Sequence, residues 1–355
     1  MRYLSKKISL TVMLITILVL AGCGGLNEPD AAISKKSNNN SEAVVTLKLG
    51  HVFAEDDVTH KSSVKLAELA EEYSDGEIKI DVYSNSQLGE ERELVEGVQM
   101  GTIDIGLASN AIVTNFIPSL VYWDLPYIID STEHLENLEE SEVIDTLNEE
   151  FEENNLKNLG IQYGGFRQIT NSVRPIESIE DFKGINIRLL ESKVMLDTFE
   201  SLPGIRTSNM AFSELYSGLQ QGVVTAQENP INLIYSMKFF EVQDYLSLTN
   251  HFYTTRYFLM DSNKFNDLSE KQQEALTKAS AEAMDYHKEE LFNDEQEILQ
   301  KLKDEGMEVN EVSDDFVNEF REIMEEEVYP EFYSEIGNGN EEEGSELVQK
   351  IIELR

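Results

Sequence analysis

The stretch GINIRLLESK, residues 184–193, sets a single arginine in the alternating pattern of a strand, within a chain that is overwhelmingly acidic. Ile185, Ile187 and Leu189 alternate with Asn186 and Arg188, the period-two spacing of a strand with one buried face. What a cation does there, in so acidic a chain, the spacing alone leaves open. The common catalytic patterns are missing: the chain has no G-x-S-x-G elbow, no G-x-x-x-x-G-K phosphate loop, no H-E-x-x-H and no cysteine pair for zinc. Its histidines, His51, His60, His134, His251 and His287, lack the i, i+4 spacing to a second histidine that a helical metal site would use. No metal or other cofactor is expected. A carboxylate pair could still do chemistry in so acidic a chain, but no motif points to one, and the expectation is a protein that is not an enzyme.

The charge balance narrows the partners. Aspartate and glutamate number 68 against 28 lysines and arginines, a formal charge of −40, and that field repels nucleic acid and anionic lipid. In an exported protein such an excess reads as an adaptation for solubility or salt, suited to a saline or alkaline habitat. The 355 residues, 41% of them hydrophobic, suffice for two domains or one large one.

The first residues give an address. Arg2, Lys6 and Lys7 precede the apolar run Ile8 to Leu20, which is shorter than the ~20 residues a membrane span needs and reads as an export signal over 1–22. The run ends Leu20-Ala21-Gly22-Cys23, which resembles a bacterial lipoprotein lipobox; the resemblance implies that Cys23, the only cysteine, carries a diacylglycerol. Residues 24–43 are polar and of low complexity, so 23–43 is expected to be a lipid-anchored tether. At roughly 5–6 Å times the square root of its length, it would hold the body about 25 Å from the membrane.

The elements that must position Arg188 follow from periodicity. VVTLKLGHV (44–52) alternates as a strand, HKSSVKLAELAEEY has helical spacing, EIKIDVYS (77–84) is a second strand, SQLGEERELVEGVQM a helix and TIDIGLAS (102–109) a third strand. This β-α-β-α-β order predicts an α/β fold with a mainly parallel sheet, helices on both faces and ligands beyond the strand ends. A second series starts with NLGIQYGGFRQIT near Leu159 and continues through GINIRLL, a helix over Ser192 to Leu202 and another over Phe212 to Gly222. Leu268 to Glu305 is expected to be one helix or a pair, and Glu311 to Tyr333 a further helix, forming a helical C-terminal layer on two α/β lobes. GNGNEEEGSE (337–346) lacks the order of a calcium loop and reads as a solvated acidic turn.

Four separated stretches, YSNSQLGEERELVEGVQMGTIDIG (83–106), GFRQITNSVRPI (165–176), FKGINIR (182–188) and MAFSELYSGLQQGVVTAQENPINLIYSMKFFEVQDYLSLT (210–249), together resemble the extracytoplasmic solute-binding proteins of TRAP transporters, over about Leu47 to Leu302. The resemblance implies a two-lobed, periplasmic-binding-protein-like fold with a cleft between lobes, here 44–165 plus about 254–293 and 166–253 plus about 294–355. It implies an organic-acid ligand, delivery to the TRAP permease subunits in the membrane, and a monomer. Arg188 would fix the ligand carboxylate, because a guanidinium fork donates two parallel hydrogen bonds where lysine offers a point charge. Arg167 in GFRQIT would help hold it, Asn229 in QENP would face it, and Phe212 in MAFSELY would wall the pocket. His51, His60, Ser109 and Asn110 fall where contacts from the first lobe are expected.

One departure bears on the ligand. Members of the family commonly continue the arginine strand with a proline and a small polar residue, whereas Arg188 is followed by Leu189-Leu190-Glu191-Ser192. A Glu191 facing the pocket would repel a second carboxylate and accept from a sugar hydroxyl. The expected ligand is therefore a sugar acid, such as a uronate, aldonate or keto-sugar acid. GFRQIT is also close to binders of four-carbon dicarboxylates, which stand as the rival class. A ligand-sensing lipoprotein serving a receptor kinase is the alternative role.

Overall fold

The computed structural model describes residues 44–355, apart from the side chains of 292–294. The expected signal segment, Cys23 and the tether lie outside the described residues. Strand β1 (Val45–Gly50) pairs in parallel with β2 (Ile78–Tyr83) and β3 (Ile105–Ser109). Alternation sets this up: Leu47, Leu49, Ile78 and Ile80 are buried, while Thr46, Lys48, Lys79 and Asp81 between them are exposed. Helix α1 (Val58–Tyr73) returns the chain from β1 to β2, and Asp57 caps it by accepting from the Thr59 N–H at 2.8 Å. Helix α2 (Glu91–Gln99) makes the second crossover and starts with a capping box between Glu90 and Glu93.

The next strand, β4 (Leu156–Asn171), is a single run of 16 residues. It is followed by β5 (Asn186–Leu189), β6 (Arg206–Asn209), β7 (Ala226–Pro230), β8 (Tyr245–Leu248), β9 (Tyr253–Asp261) and β10 (Glu308–Glu311). Up to Phe166, opposite Tyr253, β4 lies antiparallel to β9; from Arg167, opposite Pro230, it lies antiparallel to β7. The strand thus leaves one half-sheet and enters another. The order across both is β2-β1-β3-β9-β4-β7-β5-β6, with β8 on β4 and β10 on β8. The sheet is mixed rather than mainly parallel, because β9 runs against β3 and β4, and β4 against β7 and β8.

Residues Glu270–Asp304 form one 35-residue helix, opened by a Ser269–Gln272 capping box. It packs on α1, on β4 and on the short Ile231–Ser236 helix, and so touches elements of both half-sheets. In the Asp314–Ile323 helix, Phe316 stacks on Phe182 and Phe320 meets it edge-on, with ring centroids 6.4 and 6.0 Å away. The acidic stretch near 340 is a turn only through Asn340. A helix, Glu341–Glu353, then begins with three glutamates in its first turn, where the N-terminal dipole favours anions. Its far end reaches back: His134 Nε2 donates to the Ile351 carbonyl at 2.9 Å and Arg355 to that of Tyr127 at 2.8 Å.

Candidate functional site

Where β4 changes partners, a cavity of about 350 Å³ opens. The first turn of α2 and the end of β3 wall one side; the end of β5 and residues 209–212 wall the other; β4, β7 and β9 supply the floor. Arg188, Arg167, Asn229, Phe212, Glu191 and Ser109 of the expected set all line it.

Arg188 is 1% exposed. Its Nε and Nη2 donate to one acceptor, the Met210 carbonyl, at 2.9 and 2.7 Å, and the group lies 5.9 Å from the centre of the Phe212 ring. Nη1 is buried without a partner, and among the described residues no carboxylate forms an ion pair with this guanidinium. Burial lowers its pKa to about 10 against the pull of Glu228, so it stays charged at neutral pH while lacking a counter-ion.

Arg167 is differently placed. It forms a bidentate pair with the buried Glu228, with Nη2 at 2.8 Å from Oε1 and Nε on Oε2, and its Nη1 donates to Thr254 Oγ1 at 3.1 Å. Burial pushes the Glu228 carboxyl up, but Arg167 and His251 outweigh it and hold it at about 2. The charge of Arg167 is therefore answered inside the protein by Glu228. Asn229 Oδ1 accepts from Arg167 at 3.1 Å and its amide donates to Gln227 Oε1 at 2.6 Å. Phe212 packs edge-on to Phe53 and Phe239.

Glu191 sits at the mouth, with its carboxylate paired across the cleft. Arg92 of α2 takes it from across the cleft, Nε to Oε2 at 3.0 Å and Nη2 to Oε1 at 2.8 Å. Three expected residues lie off the cavity wall. His51 Nδ1 accepts from the Phe53 N–H at 3.2 Å, which puts the proton on Nε2, 3.0 Å from His60 Nδ1; burial and then His60 lower its pKa to about 4. Asn110 accepts from the Tyr257 hydroxyl at 3.0 Å and donates to the Leu120 carbonyl at 3.1 Å, so both ends of its amide are spent on packing.

The sequence reading missed Arg256, Glu91, Arg92 and Thr254, all on the wall. Arg256 had a signal, as the one cation in the otherwise uncharged run YTTRYFLM, residues 253–260; Glu91, one acid among many in GEERE, had none. Among the described residues no group of three or more His, Cys, Asp or Glu is placed to hold a metal ion.

A cleft at the meeting of two half-sheets, walled by buried guanidinium groups, fits the class of solute-binding proteins. Residues 49–336 match the family model described as bacterial extracellular solute-binding protein, family 7. The chain belongs to this family and is a TRAP solute-binding protein. It is 30% identical to the 2,3-diketo-L-gulonate-binding periplasmic protein of Escherichia coli K12, over 90% of this chain and 94% of that one. Among solved structures, the sugar acid binding protein of Advenella mimigardefordensis in complex with galactonate superposes with a TM-score of 0.81 at 29% identity, covering 87% and 99% of the two chains. A TRAP protein from Sulfurospirillum deleyianum with bound succinate gives 0.81 at 27% identity, covering 88% and 100%. The two-lobed α/β architecture expected from the sequence is the one these structures share.

Proposed function

We propose that this protein captures a sugar acid, such as an aldonate, uronate or keto-sugar acid, outside the cytoplasmic membrane and delivers it to an ion-driven TRAP permease. The observation that carries the reading is the buried guanidinium of Arg188, whose Nη1 has no partner where it lines the cleft. A ligand carboxylate there supplies both the missing acceptor and the missing counter-charge. Arg167 and Asn229 position it, and Phe212 walls it. The names of the E. coli and Advenella relatives support the choice of ligand class. The rival, a four-carbon dicarboxylate, is favoured by a second unpaired arginine, Arg256, on the same wall, and by the succinate-bound relative.

In this reading the lobes are 44–165 plus about 254–293 and 166–253 plus about 294–355, with the last helix laid back against the first. They close on the ligand, which shifts the population towards the closed form by its greater affinity for it. Cys23 anchors the protein by a lipid to the outer face of the membrane.

A thermal-shift screen of sugar acids and dicarboxylates, with Arg188→Ala alongside, tests this. A ligand at a hundredfold excess over Kd adds about 2.7 kcal/mol of stability. The wild type should be stabilised by sugar acids and the variant should not; equal responses would remove Arg188 from the site.

A further inference from the structure

Two charged groups on the wall are left without a task when Arg188 takes a carboxylate. Arg256 is 2% exposed and lies 4.7 Å from the centre of the Phe53 ring. Its guanidinium donates no hydrogen bond among the described residues, and Nη1 is buried without a partner. Glu91, 8% exposed, spends Oε2 on the N–H of Ser109 at 3.1 Å and on its hydroxyl, while Oε1 makes no hydrogen bond among the described residues. Arg256 and Glu91 line the same cavity as Arg188, and among the described residues no ion pair joins them.

The charge count decides what fills that cavity. Arg167 cancels Glu228, and Arg92 cancels Glu191 at the mouth. Arg188, Arg256 and Glu91 remain inside, one net positive charge, with Glu90 and Glu93 at the rim adding to the negative side. One carboxylate brings the interior to neutrality. A second would leave it negative, which a buried site disfavours strongly. A hydroxyl fits without changing the balance, since it can donate to Glu91 Oε1 and accept from Arg256 at once.

We propose that Arg256 and Glu91 form a second half-site that takes a hydroxyl, or two neighbouring hydroxyls, of the ligand, and that this pair selects hydroxylated monocarboxylates against diacids. The inference rests on the reading that Arg188 holds the carboxylate. Calorimetric titration of the purified protein tests it, with galactonate, gluconate and galacturonate as probes against galactarate, glucarate and succinate.

The wild type should bind one or more of the monoacids at least about tenfold tighter than any diacid. Glu91→Gln keeps an oxygen for Ser109 but removes the charge; it should weaken the preferred monoacid about tenfold and narrow or reverse its lead over the matching diacid. Arg256→Gln should weaken the monoacid by a similar factor with no gain for diacids. Melting curves of each variant separate loss of the half-site from loss of the fold. A wild type that prefers diacids, or a Glu91→Gln variant that folds and keeps the wild-type ratio, overturns the half-site. Arg188→Gln distinguishes the two readings: if it binds all probes like the wild type, or if the wild type binds none, the carboxylate reading falls and the half-site with it.

Discussion

Arg188 and Asp124 hold buried polar groups that their surroundings leave incomplete, with opposite consequences. The guanidinium of Arg188 gives two donors to one carbonyl and leaves Nη1 without a partner, so under the proposed function a ligand carboxylate gains charge-assisted bonds worth ~1.5–3 kcal/mol each. Asp124 is 5% exposed, its Oδ2 has no partner, and no ligand role falls to it. Burial raises its carboxyl to about 7 against a hydrogen bond from Asn110. A raised carboxyl favours the folded state fully only below its unfolded value of 3.8. That contribution is lost as pH rises towards about 7 and is gone above it. Asp124→Asn keeps the shape and removes the titration. Urea unfolding should therefore find the variant gaining on the wild type between pH 5 and pH 8, by on the order of a few kcal/mol; a difference that does not change with pH would refute the assignment.

Strand β4 joins the two halves of the site, and it shows what the sequence discloses and what it hides. GIQYGGFRQIT is legible as a strand, as are β1, β2, β3 and β5, but only β1 and β2 keep one buried and one more solvated face; β3 is buried throughout, and Arg188 in β5 is as buried as Ile187 and Leu189 beside it. The change of partner between Phe166 and Arg167 follows Gly164-Gly165, where the register shifts and Gly165 takes a φ of 89°; that glycine pair is its only local signal, and alternation does not use it. Strand β7, AQENP, goes unread because its buried side chains Gln227, Glu228 and Asn229 are polar, satisfied by a network and by Arg167. Strand β9 is buried along nearly its whole length, which erases the alternation and conceals Arg256. Glycine at 164 makes room for that arginine. A Cβ there would fall 2.5 Å from Arg256 Nη1 and 2.7 Å from Thr254 Cγ2. The arginine end can swing aside, but Thr254 Cβ, 2.9 Å away, is fixed to β9, so the strands must also part slightly and Gly164→Ala should cost about 3 kcal/mol in stability. Monoacid affinity should drop about tenfold as Arg256 leaves its place. Calorimetry with a parallel melting curve reads both, and unchanged affinity would mean that Arg256 does not touch the ligand.

A body carrying −40 that collects anions has a kinetic difficulty which its buried site does not share. The approaching carboxylate meets a repulsive mean field, while the site it reaches holds Arg188 and Arg256 out of solvent, where mobile ions screen little. Salt should therefore act on the two rate constants unequally. Raising NaCl from about 0.01 to 0.5 M shortens the screening length from ~30 Å to well under 10 Å, which weakens the repulsion of distant surface carboxylates and leaves the bonds inside the closed cleft nearly as they were. Stopped-flow binding of a sugar acid should show the association rate constant rising with salt, by about threefold to tenfold, and the dissociation rate constant changing little. This is the reverse of the fall with salt seen when charge steers a ligand in. An association rate that falls instead would mean that the local positive potential of the cleft reaches solvent and outweighs the surrounding acids, so the acidic surface would play no part in limiting capture.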